Sequence, residues 1–270
     1  MTPTRYPGVN EALDLLRSGA ESVLDAELLG IYISGSLAAG DFDPESSDID
    51  FVVAVWNSLE TNMVRRLRHM HADLAMSHPW GARMEGAYID RGALRRHVAG
   101  ERHPFINDDH PLGLAVLDET WVLNRAQLRE HGLTLYGPEP ASLIDPVSSE
   151  QLKAAMRKEL NTWWRPMLRR SSKLQPRRYQ AFAIFTMCRA LYLFEHGRIA
   201  SKPEAARWAI SSLDSKWRPV INRASVWRAD PTVDRAALAQ TNAFIQLVLD
   251  KSEPKEKGAI SPRTLGRTSP

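Results

Sequence analysis

The chain has 270 residues, of which 43% are hydrophobic and 25% charged, and its formal net charge is +3. This length allows one large or two ordinary domains with real cores, and the modest charge does not by itself indicate a nucleic-acid partner. No hydrophobic run is long enough for a membrane span, and no basic-then-apolar leader opens the chain, so we expect neither a membrane nor a secreted protein. The single Cys188 excludes an internal disulfide framework and favours a cytoplasmic location, and its apolar surroundings predict a buried small residue rather than a nucleophile.

Hydrophobic periodicity predicts a mixed first half of helices and strands. One helix covers residues 9–25, and a second begins near Asn57, with Glu60 completing a capping box. Runs rich in β-branched and aromatic residues predict four strands, at residues 28–34, 48–55, 84–89 and 133–136. Residues 99–112 contain Gly, Pro, Asn, Asp and His, which predicts an irregular loop.

Beyond Pro146 the pattern is entirely helical, and we expect four or five helices between residues 149 and 250. Predicted helix starts are the capping boxes Ser148 with Gln151 and Ser201 with Glu204, and the N-cap pair Asp230-Pro231. We therefore predict an α+β domain with a mixed sheet over residues 1–145 and an all-α helical bundle over residues 146–250. A polar, Pro- and Lys-containing segment, residues 251–270, is expected to be a disordered tail.

The stretch from Gly35 to Phe51 contains the strongest chemical signal. Gly35 and Ser36 follow a predicted strand, where backbone amides and a hydroxyl can meet phosphate oxygens. Asp48 and Asp50 begin the next strand, and side chains two residues apart on a strand point the same way. Two carboxylates on one face repel unless a cation lies between them, and Mg²⁺ prefers such oxygen ligands together with substrate phosphates. The pattern predicts a phosphate-binding site with one or two Mg²⁺ ions.

Glu85 is the best candidate for a third functional carboxylate. It lies on a predicted strand that follows a helix, an order that can bring it beside Asp48 and Asp50. Transfer of a phosphoryl group to a hydroxyl needs an acceptor for the hydroxyl proton, and a carboxylate within hydrogen-bond reach can serve. The alternative is an exposed glutamate on an edge strand.

Two cations stand out in the helical half. Arg189 lies in a mostly apolar helix that Gly197 terminates, and an unpaired buried charge is costly, so it either pairs with a carboxylate or faces an anion. Lys202 lies in the first turn of the next helix, where the helix dipole disfavours a cation unless a ligand compensates. The two residues form either a phosphate clamp or a structural ion pair.

The order Gly-Ser, a spacer and Asp-x-Asp resembles the nucleotidyltransferase superfamily. The strings Met-Cys-Arg-Ala-Leu-Tyr, Gly-Arg-Ile-Ala-Ser-Lys-Pro and Leu-Tyr-Gly-Pro resemble the aminoglycoside 3''/9-adenylyltransferases, over about residues 28–250. This resemblance implies transfer of AMP from ATP to a hydroxyl of a small molecule such as an aminocyclitol antibiotic, in a cleft between two domains of a monomer. The implied roles are nucleotide and metal binding by Ser36, Ser47, Asp48 and Asp50, proton acceptance by Glu85, and phosphate binding by Arg189 and Lys202.

The chain departs from this family in its acceptor region. Streptomycin-modifying members use a tryptophan and a following carboxylate; Trp163 or Trp164 can supply the first, but no Asp or Glu occurs between Trp164 and Arg189. Instead this segment is basic, with Arg165, Arg169, Arg170, Lys173, Arg177 and Arg178. The family's tyrosine on the ATP side is replaced near Trp227-Arg228. A polycationic aminoglycoside would meet like charge here, so spectinomycin or a non-antibiotic hydroxyl compound remains open.

Three other functions are compatible with parts of the sequence. Arg189 and His196, six residues apart, resemble the Arg-to-His signature of HEPN-type ribonucleases. A nucleotide-binding regulator without chemistry would have little use for Glu85. A zinc enzyme is disfavoured because the eight histidines show no HExxH-type pairing and there is one cysteine. We expect His103 and His110 to face solvent or substrate rather than to be metal ligands.

Overall fold

A six-stranded mixed sheet forms the N-terminal half of the protein. The computed structural model describes residues 3–98, 100–107, 110–118 and 120–253. The strands are β1 (Leu28–Ile33), β2 (Ile49–Val55), β3 (Met84–Asp90), β4 (Arg102–Asn107), β5 (His110–Val116) and β6 (Leu133–Tyr136). Their order in the sheet is β5-β4-β3-β2-β1-β6. Only β2 and β3 run parallel; the other pairs are antiparallel. The expected α+β domain is confirmed.

Helices cover the two faces of this sheet unequally. The N-terminal helices are α1 (Pro7–Leu24), α2 (Gly35–Ala38), α3 (Thr61–Ser77), α4 (Arg91–Arg95), α5 (Trp121–His131) and α6 (Pro140–Leu143). Helices α1 and α3 pack on one face, against odd-numbered residues of β2 such as Phe51 and Val53. Helix α5 lies over the opposite face, where Trp121 and Leu128 join Val52 and Ala54 in a smaller core. Both faces of β2 are thus buried, which explains its continuous apolar run.

The C-terminal half is a bundle built around one apolar helix. Its helices are α7 (Ser149–Glu159), α8 (Arg165–Arg169), α9 (Arg177–His196), α10 (Lys202–Ser212), α11 (Arg218–Val226) and α12 (Arg235–Ser252). Helix α9 is buried along most of its length among α7, α10, α11 and α12. Gly197 ends it in the left-handed conformation (φ 70°), and Cys188 is fully buried within it, as predicted. Burial also raises the pKa of this thiol to about 12, so it is not a nucleophile.

Several local predictions are confirmed and three are wrong. The capping box of Ser148 and Gln151 forms in full, and the Ser201 hydroxyl accepts from the Glu204 amide. The helix expected from Asn57 begins at Thr61 instead. The N-cap expected at Asp230 is formed by Asp234, because the Asp230 carboxylate binds Arg177 and the Thr232 amide. Six α-helices, rather than four or five, lie between residues 149 and 253, all of which are placed.

The predicted loop at residues 99–112 is largely wrong, because β4 and the start of β5 form a hairpin there. The Asn107 side chain accepts from the His110 amide and tightens the turn, while β4 pairs with β3 and closes the sheet. Pro111 lies on β5, the edge strand, and Pro104 lies on β4 outside the residues that pair with β3, so neither removes a hydrogen bond from the centre of the sheet. His110 is exposed, as expected, whereas His103 is 7% exposed and lies on the same face of the sheet as Phe105.

The proposed domain boundary at 145/146 lies between α6 and α7 and remains a prediction. Helix α5 contributes Leu123 and Ala126 to the helical core, so the two halves share packing. Of the predicted tail, Lys251 and Ser252 belong to α12, and residues 254–270 lie outside the described residues. No helix in the described part of the chain has the length and apolar composition that crossing a membrane requires.

A buried histidine on α3 makes the fold sensitive to acid. His71 is 2% exposed; its Nε2 lies 2.8 Å from the Tyr88 hydroxyl and its ring stacks on Phe51. Burial lowers its pKa from 6.5 to about 4. The unfolded chain therefore binds more protons between these pH values, and stability falls as the pH falls through this window.

We expect this histidine to account for about 2 kcal/mol of the stability lost between pH 7.5 and pH 5.0. Urea unfolding at both pH values measures the loss, and His71→Gln should lose about 2 kcal/mol less than the wild type. The exposed His131→Gln serves as control and should behave like the wild type. Equal losses in all three proteins would contradict the assignment.

Candidate active site

The parallel pairing of β2 and β3 brings two of the predicted carboxylates together. Asp50 is in register with Glu85, and paired residues on neighbouring strands point to the same face of a sheet. Asp48 immediately precedes β2 and shares that face. All three line one cavity on the α5 side of the sheet, at the N-terminal ends of the two strands. The predicted convergence of the three acidic groups is thus observed.

Gly35 lets the loop after β1 approach the Asp50 carboxylate closely. Its φ is +60°, and a Cβ at this position would lie 1.7 Å from Asp50 Oδ2. No side chain fits there, so glycine is required for both conformation and space. The Ser36 amide donates to the Asp50 carboxylate, and the Ser34 amide donates to the Asp50 carbonyl over 2.9 Å. Backbone amides and a carboxylate thus form one surface.

The donor set fits a divalent cation. Burial and the neighbouring Asp48 raise the pKa of Asp50 to about 6, against the opposing effects of Lys202, the Ser36 amide and Arg189. A carboxylate so destabilised in its charged form gains from a bound cation, and hard oxygen donors are the ligands that Mg²⁺ prefers. Asp48 and Asp50 would hold the ion.

Arg83, which the sequence analysis did not single out, braces the loop before Asp48. Its guanidinium donates to the carbonyls of Pro44 (2.7 Å) and Ser47 and lies 3.8 Å from the Asp48 carboxylate. The Trp80 ring lies 4.5 Å beneath it. One planar side chain with several donors thereby fixes three points of the loop. In the sequence, the only indication of this role is that Arg83 lies two residues before Glu85, which is a weak indication.

We expect Arg83→Gln to lower the rate of a Mg²⁺-dependent reaction at this site tenfold to about a hundredfold, because a small displacement of Asp48 would misplace the ion that it holds. The apparent Mg²⁺ requirement should rise as well. Initial rates at varied Mg²⁺ measure both quantities. The control is Arg65→Gln on α3, an exposed arginine that contacts only Asn62 among the hydrogen bonds of the described residues. Unchanged Mg²⁺ dependence in Arg83→Gln would show that the brace is dispensable.

The helical half supplies the opposite wall of the cavity. Arg189 on α9 donates to the Ala200 carbonyl over 3.0 Å, and its positive charge faces Glu159, Asp41 and Asp50. Lys202 opens α10, beside Arg189. Burial and the charge of Arg189 lower the pKa of Lys202. Two cations that lie close together repel each other unless anions compensate, so each makes the other harder to protonate. The wall therefore favours a polyanion.

The cavity has two connected lobes. The inner lobe, about 440 Å³, contains all eight residues predicted for the site, namely Gly35, Ser36, Ser47, Asp48, Asp50, Glu85, Arg189 and Lys202. The outer lobe, about 320 Å³, shares Ser46, Asp48, Glu85, Phe182 and Lys202 with it and adds Arg178, Tyr179, Phe185 and Arg228. Both volumes lie in the range of small-molecule sites, about 300–1,000 Å³.

Some residues singled out in the sequence lie elsewhere. Trp163 is exposed and Trp164 is buried against Phe182, and neither lines a lobe. Of the six basic residues before Arg189, only Arg178 reaches the cavity. Arg177 is paired with Asp230 and Asp234, and Arg165 with Glu253. His196 stacks on Tyr192 and Trp208 outside both lobes. Arg228 lines the outer lobe and donates weakly to the Asp41 carbonyl (3.4 Å).

The comparisons with known proteins agree with this geometry. Residues 142–250 match the family model described as the aminoglycoside adenylyltransferase, C-terminal domain. The chain is 26% identical over 213 residues to an aminoglycoside (3'') (9) adenylyltransferase of Escherichia coli, covering 74% of this chain and 78% of that protein. It is 25% identical over 230 residues to a spectinomycin 9-adenylyltransferase of Campylobacter jejuni, covering 80% and 82%.

A solved structure shows the same fold. It is the spectinomycin adenyltransferase from Enterococcus faecialis, determined with ATP and spectinomycin. The TM-score is 0.70 at 13% identity, covering 90% of this chain and 98% of that chain. The family model matches the helical domain, and the related sequences cover both halves of the chain. Both findings agree with the resemblance seen in the sequence motifs. Residues 142–250 thus match the C-terminal domain of aminoglycoside adenylyltransferases, and the chain as a whole is similar to proteins of that name.

Proposed function

We propose that the protein transfers AMP from ATP to a hydroxyl of a small aminocyclitol, such as spectinomycin, and thereby confers antibiotic resistance. The observation that carries this proposal is the position of Asp48, Asp50 and Glu85 across one cavity from Arg189 and Lys202. Three carboxylates facing two cations suit a metal-bound triphosphate and a hydroxyl that must lose its proton. The buried free thiol of Cys188 and the use of ATP support a cytoplasmic location.

The chain's own residues would bind and orient the nucleotide. Ser36 and the amides of the loop after β1 face the triphosphate, and Arg189 and Lys202 neutralise it from the opposite wall. Mg²⁺ held by Asp48 and Asp50 would stabilise the negative charge that develops during displacement at phosphorus. In the reaction a bond forms between the acceptor oxygen and the α-phosphorus, and the bond to pyrophosphate breaks. Glu85 accepts the proton of the attacking hydroxyl.

The outer lobe supports an acceptor with few positive charges. Arg178, Lys202 and Arg228 lie on its helical side, together with the aromatic rings of Tyr179, Phe182 and Phe185. Its carboxylates, Asp48 and Glu85, are both assigned to the reaction. A polycationic aminoglycoside would therefore meet like charge with little acidic compensation, whereas a compact aminocyclitol meets apolar ring surface.

A mass-spectrometric screen tests the proposal. The purified protein is incubated with ATP, Mg²⁺ and a panel of aminocyclitols, and each acceptor is examined for the mass gain of one AMP group. Spectinomycin should gain it and streptomycin should not. Protein carrying Asp50→Asn, purified in the same way, controls for contaminating activity. Turnover of no acceptor, with firm ATP binding, would favour a nucleotide-binding regulator instead.

Expression in a susceptible host complements the screen. We expect the wild type, but not Asp50→Asn, to raise the minimal inhibitory concentration of spectinomycin. The ribonuclease alternative needs Arg189 and His196 at one site, yet His196 lies outside the cavity that contains Arg189. RNA cleavage that survives Asp50→Asn but is lost in His196→Ala would revive it.

A further inference from the structure

A second group of ligand-type side chains lies at the far end of β3. Asp90 is the last residue of β3, His103 lies on β4, and Glu101 precedes β4. One ligand atom from each residue lies within 4.8 Å of the other two. Asp90 is five residues from Glu85, about 16 Å along an extended strand, so this group is separate from the nucleotide cavity.

The imidazole of His103 is buried without a hydrogen bond to either carboxylate. Its Nδ1 lies 4.0 Å from Asp90 Oδ2 and its Nε2 lies 3.8 Å from Glu101 Oε2, beyond hydrogen-bond distance. The ring is only 7% exposed, and burial lowers its pKa against the opposing effect of both carboxylates. One ring nitrogen carries a lone pair that can bind a cation, and a carboxylate oxygen lies near each of the two nitrogens.

The distances suit a metal after a small contraction. Nitrogen and oxygen ligands lie about 2.0–2.2 Å from Zn²⁺, so two ligands on a tetrahedral ion are about 3.4 Å apart. The separations within the group, which reach up to 4.8 Å, need to shrink by roughly 1.4 Å at most. Glu101 can make this movement because its side chain is exposed. Asp90 is already oriented, since its other oxygen accepts from the amides of Gly92 (3.0 Å) and Ala93 (3.1 Å).

His97 is a further unpartnered imidazole in this region. It lies in the segment between α4 and β4, and its buried Nε2 has no hydrogen-bond partner among the described residues. It does not belong to the group of three, so a zinc ion there would have three protein ligands and would take its fourth from water.

We propose that Asp90, Glu101 and His103 form a zinc site. Mixed imidazole and carboxylate donors suit Zn²⁺, whereas an all-oxygen set suits Mg²⁺. The ion would join the end of β3 to the hairpin of β4 and β5, and so stabilise the outer edge of the sheet. It takes no part in AMP transfer. The inference stands independently of the proposed function.

Isothermal titration with Zn²⁺, on untagged protein stripped of metal and then saturated with Mg²⁺, tests the site. The wild type should bind one Zn²⁺ per chain and unfold at a higher temperature with it. His103→Ala should lower the affinity on the order of a hundredfold and abolish this thermal shift. Because His103 is buried and its loss can disturb folding, Glu101→Gln provides a second variant at an exposed position, with a weakening of about tenfold.

The matched control is His131→Ala. His131 Nε2 also lies 3.8 Å from a glutamate, Glu130, but both side chains are exposed and no third ligand is grouped with them among the described residues. This variant should bind Zn²⁺ like the wild type. Asp50→Asn should also leave the affinity unchanged, which separates the site from the nucleotide cavity. Absence of stoichiometric binding, or equal affinity in Glu101→Gln, His103→Ala and the wild type, would overturn the proposal.

Discussion

Asp50→Asn should reduce AMP transfer by about a thousandfold or more while the protein stays folded. Asparagine keeps the shape of the side chain but removes the anionic oxygen that faces the cation. Asp48 alone then holds the ion, and Arg189 and Lys202 lose the carboxylate charge that they face across the cavity. Single-turnover rates with saturating ATP and Mg²⁺ measure the loss.

The same change should not weaken the fold. In the absence of metal, burial raises the pKa of Asp50 from 3.8 to about 6, so the ionised carboxylate at neutral pH destabilises the folded protein relative to the unfolded chain. Removing the charge is expected to raise the free energy of unfolding in EDTA by about 1 to 3 kcal/mol. The exposed Asp73→Asn on α3 is the control for both measurements. Loss of activity together with loss of folding, or full activity in a folded variant, would contradict the role assigned to Asp50.

The catalytic strand could be predicted because local sequence and tertiary position agree there. The spacing of Asp48 and Asp50 fixes their common face, and the apolar run behind them fixes the strand. The position of Glu85 needed one further assumption, that β3 lies beside β2. The structure meets this assumption, because β2 and β3 pair in parallel with Asp50 beside Glu85. The spacing of these residues in the sequence does not determine such a long-range pairing.

The hairpin of β4 and β5 could not be predicted for a physical reason. Its prolines, histidines and turn residues have low strand propensity, and the hairpin forms because β3 offers an open edge. The burial of His103 follows from that pairing rather than from its neighbours in sequence. Arg83 was missed on similar grounds, because its partners lie in the loop before Asp48, 35 to 39 residues earlier.

The basic segment before Arg189 shows how charge in sequence can mislead about charge in a site. Its six basic residues led us to expect that a cationic aminoglycoside would meet like charge there. Two of them are neutralised on the surface, Arg177 by Asp230 and Asp234 and Arg165 by Glu253. Only Arg178 reaches the outer lobe, and Arg228, from the segment between α11 and α12, contributes there as well. Acceptor selection therefore depends on residues that are far apart along the chain.

Glu85→Gln should separate the proton-transfer role from nucleotide binding. Glutamine preserves the size of the half-buried side chain but cannot accept the proton of the attacking hydroxyl, so we expect the rate to fall by about 10²- to 10⁴-fold. The affinity for ATP and Mg²⁺ should change little, because Asp48, Asp50, Arg189 and Lys202 remain in place. Asp50→Asn, by contrast, should weaken the metal-dependent part of ATP binding.

Calorimetric titration of ATP with and without Mg²⁺, beside single-turnover rates, distinguishes the two variants. Glu11→Gln, at an exposed position on α1, is the control and should retain both rate and affinity. If Glu85→Gln bound ATP poorly, the carboxylate would be a ligand of the metal or nucleotide rather than the base. If it kept its rate, another group would have to take the proton, and Asp48 is the remaining carboxylate that lines both lobes. The pair of measurements therefore assigns each acidic residue of the cavity to one chemical task.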